Sequence, residues 1–454
     1  MMSNFSYRKD DKMTTPICDF VQKYISENPL RLHMPGHKGR DIFNSPLSAA
    51  YPYDITEIKG ADSLFEASGI ISESEKNAAS LFHTAETVYS VGGSTLCIQA
   101  MLDMVCGPGG RTVAVRNCHR AFVNAAALLD LDVSWVYPEY DGGSLLSGRV
   151  TAEMAENAIL SGKKPDCFYM TSPDYLGKLY DVRGIAEVCH KHGVPLIVDN
   201  AHGAHLAFLK KNIHPIALGA DMCCDSGHKM LPVLTGGAYL HIGNPKFIGM
   251  AKAAMSRYGS TSPSYLILQS LDMCNKYLSE GGTREIRSAA DKLECLKKEI
   301  SAVYRIEDTE PLRMTISALE CGLYGHQLAD ILRESGIECE YADETHVVLL
   351  FSPVYGDREI ERLKAVMESV RMPRIFLQAP EYEGYAPKKA MSIRQAAFAP
   401  SENIHVDNAE GRICSGVRTA CPPGVAVIVS GEVIDKETIK ILKRYSIFDI
   451  NVVK

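Results

Sequence analysis

The 454-residue sequence contains no apolar run long enough to cross a membrane as a helix. Its first ten residues, Met1-Met-Ser-Asn-Phe-Ser-Tyr-Arg-Lys-Asp10, hold no apolar core of the kind a secretory signal has, so a cytoplasmic location is expected. Excess positive charge is missing as well: 48 Lys and Arg stand against 55 Asp and Glu, a net charge of −7, which argues against a nucleic-acid surface. The 14 cysteines include no C-x-x-C pair, so a zinc or disulfide framework is not expected, and buried thiols in a reducing compartment are. His202 and His205 have no further ligand beside them in the sequence, and no metal is expected. Neither a G-x-G-x-x-G nor a Walker sequence occurs, which disfavours nucleotides. Low-complexity segments and internal repeats are lacking too. Composition is otherwise ordinary for a globular protein, and the length predicts two domains, or one large domain with an extension.

What the chain does carry is a series of short β-type runs, each ending in residues suited to chemistry. Leu196-Ile-Val has the branched content of a buried strand, which delivers Asp199 and His202 to its carboxyl end, the rim where open α/β sheets bind ligands. A second run, Ala217 to Cys224, leads to Ser226-Gly-His-Lys229. A lysine amine and a carboxylate at neighbouring strand ends suit pyridoxal phosphate, which needs an amine to hold it and a negative charge to keep its pyridine nitrogen protonated. Taken alone, Lys229 is as readily a solvated lysine and Asp199 a helix cap. The pair carries the argument.

Two further strand ends join them. Thr87 to Val91 is followed by Gly92-Gly93-Ser94-Thr95 and an apolar helix, a cradle whose backbone N–H groups and hydroxyls can take a phosphate, although such residues also cap ordinary helices. Arg111 to Val115 is followed by His119, a structural histidine or a ring stacked on a planar cofactor. The β-α alternation continues through Val133–Tyr137, Cys167–Thr171 and the helices 151–160 and 182–192, and implies a mainly parallel sheet with helices on both faces. Ser72, with Glu75 three residues later, predicts a capping box opening a helix to Phe82. The loop 28–39, with His33, His37 and Lys38, is expected over the site or at a subunit contact. Three parts are expected: an N-terminal segment 1–52, a large cofactor-binding domain 53–290, and a smaller α+β domain 291–454 reached through a charged helix near 284–303.

Seven stretches, Met34-Pro-Gly-His-Lys-Gly39, Gly92-Gly-Ser-Thr95, Arg116-Asn-Cys-His119, Asp199-Asn-Ala-His-Gly-Ala-His205, Ser226-Gly-His-Lys229, Ser260-Thr-Ser-Pro263 and Pro422-Pro-Gly-Val425, resemble the pyridoxal-phosphate-dependent ornithine/lysine/arginine decarboxylases of fold type I. They follow the family's order over nearly the whole chain, in its short form without the amino-terminal wing domain. The resemblance implies an aspartate-aminotransferase-like large domain with a seven-stranded-type sheet, and decarboxylation of a basic L-amino acid (arginine, lysine or ornithine) to an amine of the polyamine type. It implies that Lys229 forms the internal aldimine, through which a quinonoid intermediate arises. Asp199 would pair with the pyridine nitrogen, His119 would stack on the ring, and His202 would lie beside the cofactor. Gly93, Ser94, Thr95, Ser226 and His228 would hold the phosphate. Ser260 and Thr261 would reach the phosphate of a neighbouring subunit, which implies a homodimer with shared sites.

A distal carboxylate must meet the substrate's cationic end, with Glu432, Glu57 and Asp62 as candidates. The chain departs from many relatives at Asn200, at Arg120-Ala121 and at Cys421, positions that border the pocket and put substrate choice in question. An aminotransferase or β-eliminating lyase is the alternative, with Arg394 or Arg418 for the substrate carboxylate; a non-catalytic paralogue is another.

Overall fold

Short β-branched runs bounded by polar turns form the strands of the central sheet. In the computed structural model, which describes residues 13–140, 143–370, 377–379, 385–419 and 424–454, these are Glu86–Ser90 (β1), Arg111–Val115 (β2), Asp132–Val136 (β3), Cys167–Thr171 (β4), Leu196–Asp199 (β5), Met222–Asp225 (β6) and Ala238–Ile242 (β7). They pair in the order β1-β7-β6-β5-β4-β2-β3. Neighbours from β3 to β6 are parallel, and β7 runs antiparallel to both β6 and β1. Every strand except β7 thus points one way, and the ends of β1, β2, β4, β5 and β6 open on one rim, as the alternation predicts.

The helices are Pro16–Ser26 (α1), Ile70–Phe82 (α2), Gly93–Val105 (α3), Arg120–Leu129 (α4), Ala152–Leu160 (α5), Val182–Lys191 (α6) and the single turn Gly227–Met230 (α7). Alternation along the strands divides the core in two. Val113, Phe168, Met170, Leu196 and Val198 share a core with Ile159 of α5 and Ile185 of α6. Ala114, Tyr169, Ile197 and Cys224 share the opposite core with α3 and α4, where the rings of Phe122 and Tyr169 lie 4.4 Å apart. Each fully buried aliphatic side chain contributes about 1.5–3 kcal/mol, so the sheet holds its rim on a rigid base.

Two local expectations are corrected. No capping box opens α2: the helix begins at Ile70, so Ser72 lies inside it, and the Asp62 carboxylate accepts the N–H groups of Gly69 and Ile71 at 2.8 and 3.1 Å. Glu75 instead points inward, accepts the Tyr89 N–H at 3.0 Å and pairs with Lys252. The run from Ala217 is strand only from Met222; Pro215–Leu218 forms a 3-10 turn, which Pro215 initiates and Gly219 ends in a left-handed conformation.

Beyond Tyr265–Tyr277 (α8), the charged helix Thr283–Ile300 (α9) bridges the cores, with Ile286 in that of the large domain and Leu293, Leu296 and Ile300 in that of the next sheet. That sheet comprises Arg305–Ile306 (β8), Arg313–Ser317 (β9), Tyr341–Ala342 (β10) and His346–Leu350 (β11) in the antiparallel order β8-β9-β11-β10, with Gly325–Glu334 (α10) and Asp357–Ser369 (α11) beside it. Further on, Ser401–His405 (β12) pairs with Asp449–Val453 (β15), and Arg418–Thr419 (β13) with Ala426–Ile428 (β14), around Lys436–Arg444 (α12). Cys421, Pro422 and Pro423 lie outside the described residues, as does the segment 1–12.

Candidate active site

A lysine on a single helical turn stands at the centre of the rim. Lys229 follows β6, and its Nζ lies 3.0 Å from Nε2 of His202, which emerges three residues beyond β5. Burial lowers the pKa of this amine, with Asp199 and Glu340 pulling it back up. Burial, and then the charge of Lys229, hold His202 well below the usual histidine range, so its ring is neutral and Nε2 can accept a hydrogen bond from the amine.

Asp199 closes β5 and is almost wholly buried. Its Oδ1 accepts the Ala201 N–H at 3.1 Å and faces the Cys224 thiol at 3.6 Å, while among the described residues Oδ2 has only a long contact, 3.4 Å, from the Tyr169 hydroxyl. His119 caps α4: its Nδ1 accepts the Ala121 N–H at 3.1 Å, so a neutral ring carries its proton on Nε2. Burial pushes its pKa down to about 4, against the pull of Asp199.

The cradle after β1 is held by Ser90, whose hydroxyl donates to the Gly93 carbonyl at 2.9 Å, and by the Gly93 N–H, which donates to Gly236 at 2.8 Å. Gly93 has φ +68°, a left-handed conformation that glycine takes without strain. From there Ser94 reaches the Ser226 hydroxyl at 3.0 Å.

Ser94, His119, Asp199, His202 and Lys229 thus line one cleft, with Ser226 bonded to its wall and Gly93 beside it. His228 is turned aside, its Nδ1 and backbone N–H both directed at the Gly237 carbonyl. Thr95 and Ser260 share a different cleft with Gly92, Ser262 and Ser264, and Thr261 is exposed beside it. Within a single chain, therefore, the hydroxyl turn does not reach the Lys229 cleft.

Asn117, Thr171, Tyr175 and Val425 are among the further lining residues that sequence reasoning did not name as site residues, although Asn117 and Val425 lie in the stretches that carry the resemblance. Tyr175 sets its ring edge-on to His202, with centroids 5.6 Å apart. Tyr175 lies four residues after the end of β4, a rim position that could have flagged it. Val425 arrives from the C-terminal region, a contact that depends on tertiary packing. Buried Asn117 Oδ1, Thr171 Oγ1 and His202 Nδ1 have no hydrogen-bond partner among the described residues. Such orphaned atoms around a cleft ask for a polar ligand.

The remaining candidates are bound elsewhere. Glu432 is paired: Arg116 donates to its Oε2 at 2.9 Å and the Val429 N–H does the same, the Arg116 and Glu432 side chains both being buried. Asp62 caps α2, and Glu57 accepts the Ser63 hydroxyl at 2.7 Å. Arg394 donates to the Ala127 and Leu128 carbonyls, and Arg418 to that of Asp449. His205 does not share a metal with His202; its Nε2 lies 2.6 Å from Glu310, both fully buried. Beside Glu310, Arg313 of β9 donates to the Asp174 and Tyr175 carbonyls and thereby clamps the Tyr175 turn. His214, Cys223 and Asp225 cluster behind the site, where Asp225 is shared by His214, His241 and Asn200.

These groups fit pyridoxal phosphate on the structure's own terms. A buried amine of lowered pKa, a carboxylate one strand away with a free edge, a hydroxyl-lined cradle at the start of α3, and orphaned polar atoms around one cleft provide each kind of contact it requires.

Family models match in the same frame: that of the Orn/Lys/Arg decarboxylase major domain over residues 15–318, and that of the Orn/Lys/Arg decarboxylase C-terminal domain over residues 370–449. The chain belongs to the Orn/Lys/Arg decarboxylase family. Among its relatives are the arginine decarboxylase of Bacillus subtilis (strain 168), 30% identical and covering 94% of this chain and 92% of that protein, and the arginine decarboxylase of Halalkalibacterium halodurans, also 30% identical, with 94% and 93% covered. The fold is that of the Escherichia coli constitutive lysine decarboxylase (TM-score 0.78, 18% identity, 97% of this chain and 82% of that chain). It is also shared, over 68% of this chain and 78% of the other, with the Sphingomonas wittichii serine palmitoyltransferase (TM-score 0.55, 13% identity).

Proposed function

We propose that the protein decarboxylates a basic L-amino acid with pyridoxal phosphate, releasing carbon dioxide and the corresponding amine. The observation that carries the reading is the placement of Lys229 Nζ 3.0 Å from a neutral His202, in one cleft with Asp199. The names of the Bacillus and Halalkalibacterium relatives favour arginine over lysine and ornithine as substrate. When bound, the cofactor supplies a sink for the electron pair left at Cα as the carboxylate departs.

The chain's own residues do the rest. Lys229 holds the cofactor covalently, and the lowered pKa of its amine favours the nucleophilic form. Asp199 offers its carboxylate to the pyridine nitrogen and keeps it charged. Ser94 and Ser226 would hold the phosphate at the start of α3, where the Gly93 backbone, bonded to Gly236 and Ser90, shapes the turn. His119 lies against the ring as a neutral imidazole, so it adds no competing positive charge. His202 Nε2, 3.0 Å away, would accept a hydrogen bond from the Lys229 nitrogen and hold it in place, so that its ammonium form could give a proton to the substrate carbon once carbon dioxide has left.

A homodimer completes the site in this reading. Ser260 and Thr261 are exposed away from their own Lys229 cleft, and the loop 30–47 leaves Leu30, Leu32, Ile42 and Phe43 between 74% and 83% exposed. A second copy covers both. The test is carbon dioxide release by the cofactor-loaded protein from arginine, lysine and ornithine in turn, with sedimentation for the dimer. Release from one of the three is expected. Release from none, with keto acid formed instead, would transfer the reading to amino-group transfer.

A further inference from the structure

One wall of the Lys229 cleft is set from outside the central sheet. Each carbonyl of the turn from Asp174 to Gly177, just after β4, accepts a hydrogen bond from the segment 310–315 in and before β9. Arg313 Nη1 donates to Asp174 at 3.0 Å and to Tyr175 at 2.8 Å, the Thr315 hydroxyl to Leu176 at 2.6 Å, and the Glu310 N–H to Gly177 at 2.8 Å. Gly177 has φ +96°, and a Cβ there would lie 2.4 Å from Arg313 Cδ, so the turn is shaped to receive that side chain. Arg313 and Glu310 are fully buried, and Glu310 also takes His205, in the 3-10 turn Ala204–Phe208 that follows His202. A single buried group therefore grips the chain after β4 and the chain after β5.

What the turn presents to the cleft is Tyr175. Its ring stands between two others, edge-on to Tyr341 of β10 at 5.3 Å and edge-on to His202 at 5.6 Å. His202 has little else to orient it. Among the described residues its ring has one hydrogen-bond partner, Lys229, 3.0 Å from Nε2, while its buried Nδ1 has none. A ring held by one hydrogen bond and one ring contact turns when that contact moves. The Lys229 nitrogen then loses the acceptor that orients it.

We infer that Arg313 is a positioning residue: by fixing the Tyr175 turn it keeps the His202 ring in register with the Lys229 nitrogen. This rests on the proposed decarboxylase reading for the reaction affected, but not for the arrangement of the bound cofactor. Arg313 does not itself line the cleft. A misplacement of about 1 Å that starts far from the reacting atoms can nevertheless cost about 100-fold in rate. Its effect should therefore appear in kcat and pass through Tyr175.

The test is a double-substitution cycle on the pyridoxal-phosphate-loaded protein. Arg313→Lys keeps the charge beside Glu310 but not the geometry of donation, Thr315→Val removes the bond to Leu176, and Tyr175→Leu removes the ring that meets His202. Each is read by the visible circular dichroism of the bound cofactor, by kcat and KM, and by thermal unfolding. Arg313→Lys should weaken the dichroic band and lower kcat about 10- to 100-fold with KM within about threefold. Thr315→Val should move both in the same direction by less. In the Tyr175→Leu background either change should cost under about twofold more in kcat and leave the band where Tyr175→Leu put it, because changes that act through one residue do not add. Should Arg313→Lys fail to fold, Thr315→Val carries the cycle. Losses repeated in full in the Tyr175→Leu background, or a lowered melting temperature with band and kcat unchanged, overturn the assignment. Carbon dioxide release by the wild type scores the decarboxylase reading separately. Release with an additive cycle sinks Arg313 alone, and a non-additive dichroic cycle without release sinks the reaction alone.

Discussion

Asp199 and Asp225 end neighbouring parallel strands, are both buried, and differ in what surrounds them. Asp225 is saturated: Asn200 donates to Oδ1 at 2.7 Å, and His214 and His241 approach Oδ2 at 3.0 and 3.3 Å. Burial raises its pKa, but the two histidines outweigh this and drive it far below the usual carboxylate range. Asp199 has one good hydrogen bond and an edge turned to the cleft. A charge satisfied by its own chain holds the structure together. One left partly unsatisfied beside a cleft is available to a ligand, and residue type alone does not distinguish the two.

Substitution at the two positions should separate these roles. Asp199→Asn is expected to lower kcat about 100- to 1000-fold, the scale of losing one key electrostatic contact in the transition state, with little change in melting temperature. Steady-state rates and thermal unfolding of the same preparation check both halves. Asp225→Asn should do the reverse and cost about 3 kcal/mol of stability, because two buried histidines lose their anion; a purely catalytic loss there would erase the comparison. Arg116→Met, which strands Glu432 in the interior, should cost about 3–5 kcal/mol by denaturant titration.

The smallest effect is on pH. Burial raises the pKa of Glu75 to about 7 and of Asp174 and Asp272 to about 6. Their folded values lie above the unfolded ones, so the folded state binds more protons between roughly pH 4 and 7 and gains stability as pH falls through that window. Glu310 and Asp62 are shifted the other way, and their contribution is lost only on further acidification. His119 and His202, with folded values below the unfolded one, act oppositely, and their contribution is lost as pH falls below about 6.5. The test is therefore differential: Glu75→Gln should lower the unfolding midpoint at pH 6 relative to pH 8 by roughly 2 °C compared with the wild type, and an unchanged difference would contradict the assignment.

The rim was legible because each of its main residues directly follows a strand, and strand runs such as Leu196-Ile-Val198 announce themselves by composition. That local signal sets Asp199, His202 and Lys229 on one rim; Ser94 and His119 stand between capping or structural roles and cofactor contact until the family resemblance is added, and all five line one cleft. It could not place groups whose position depends on how distant segments pack. Glu432 reads as a free acid until Arg116, 316 residues away, is seen beside it. Asp62 reads as a pocket acid because nothing in the sequence shows that α2 lacks a cap of its own. Arg313, Tyr341 and Tyr175 act through contacts between the small domain and the rim, which no periodicity records.

The central claim is that Lys229, among all the lysines, is the cofactor's anchor, and borohydride reduction of the pyridoxal-phosphate-loaded protein followed by peptide mass mapping tests it directly. The account predicts a single pyridoxyl-modified peptide containing Lys229, absent from Lys229→Ala, whose carbon dioxide release should fall at least about 1000-fold. Modification at another lysine, or equal labelling of the variant, would contradict it.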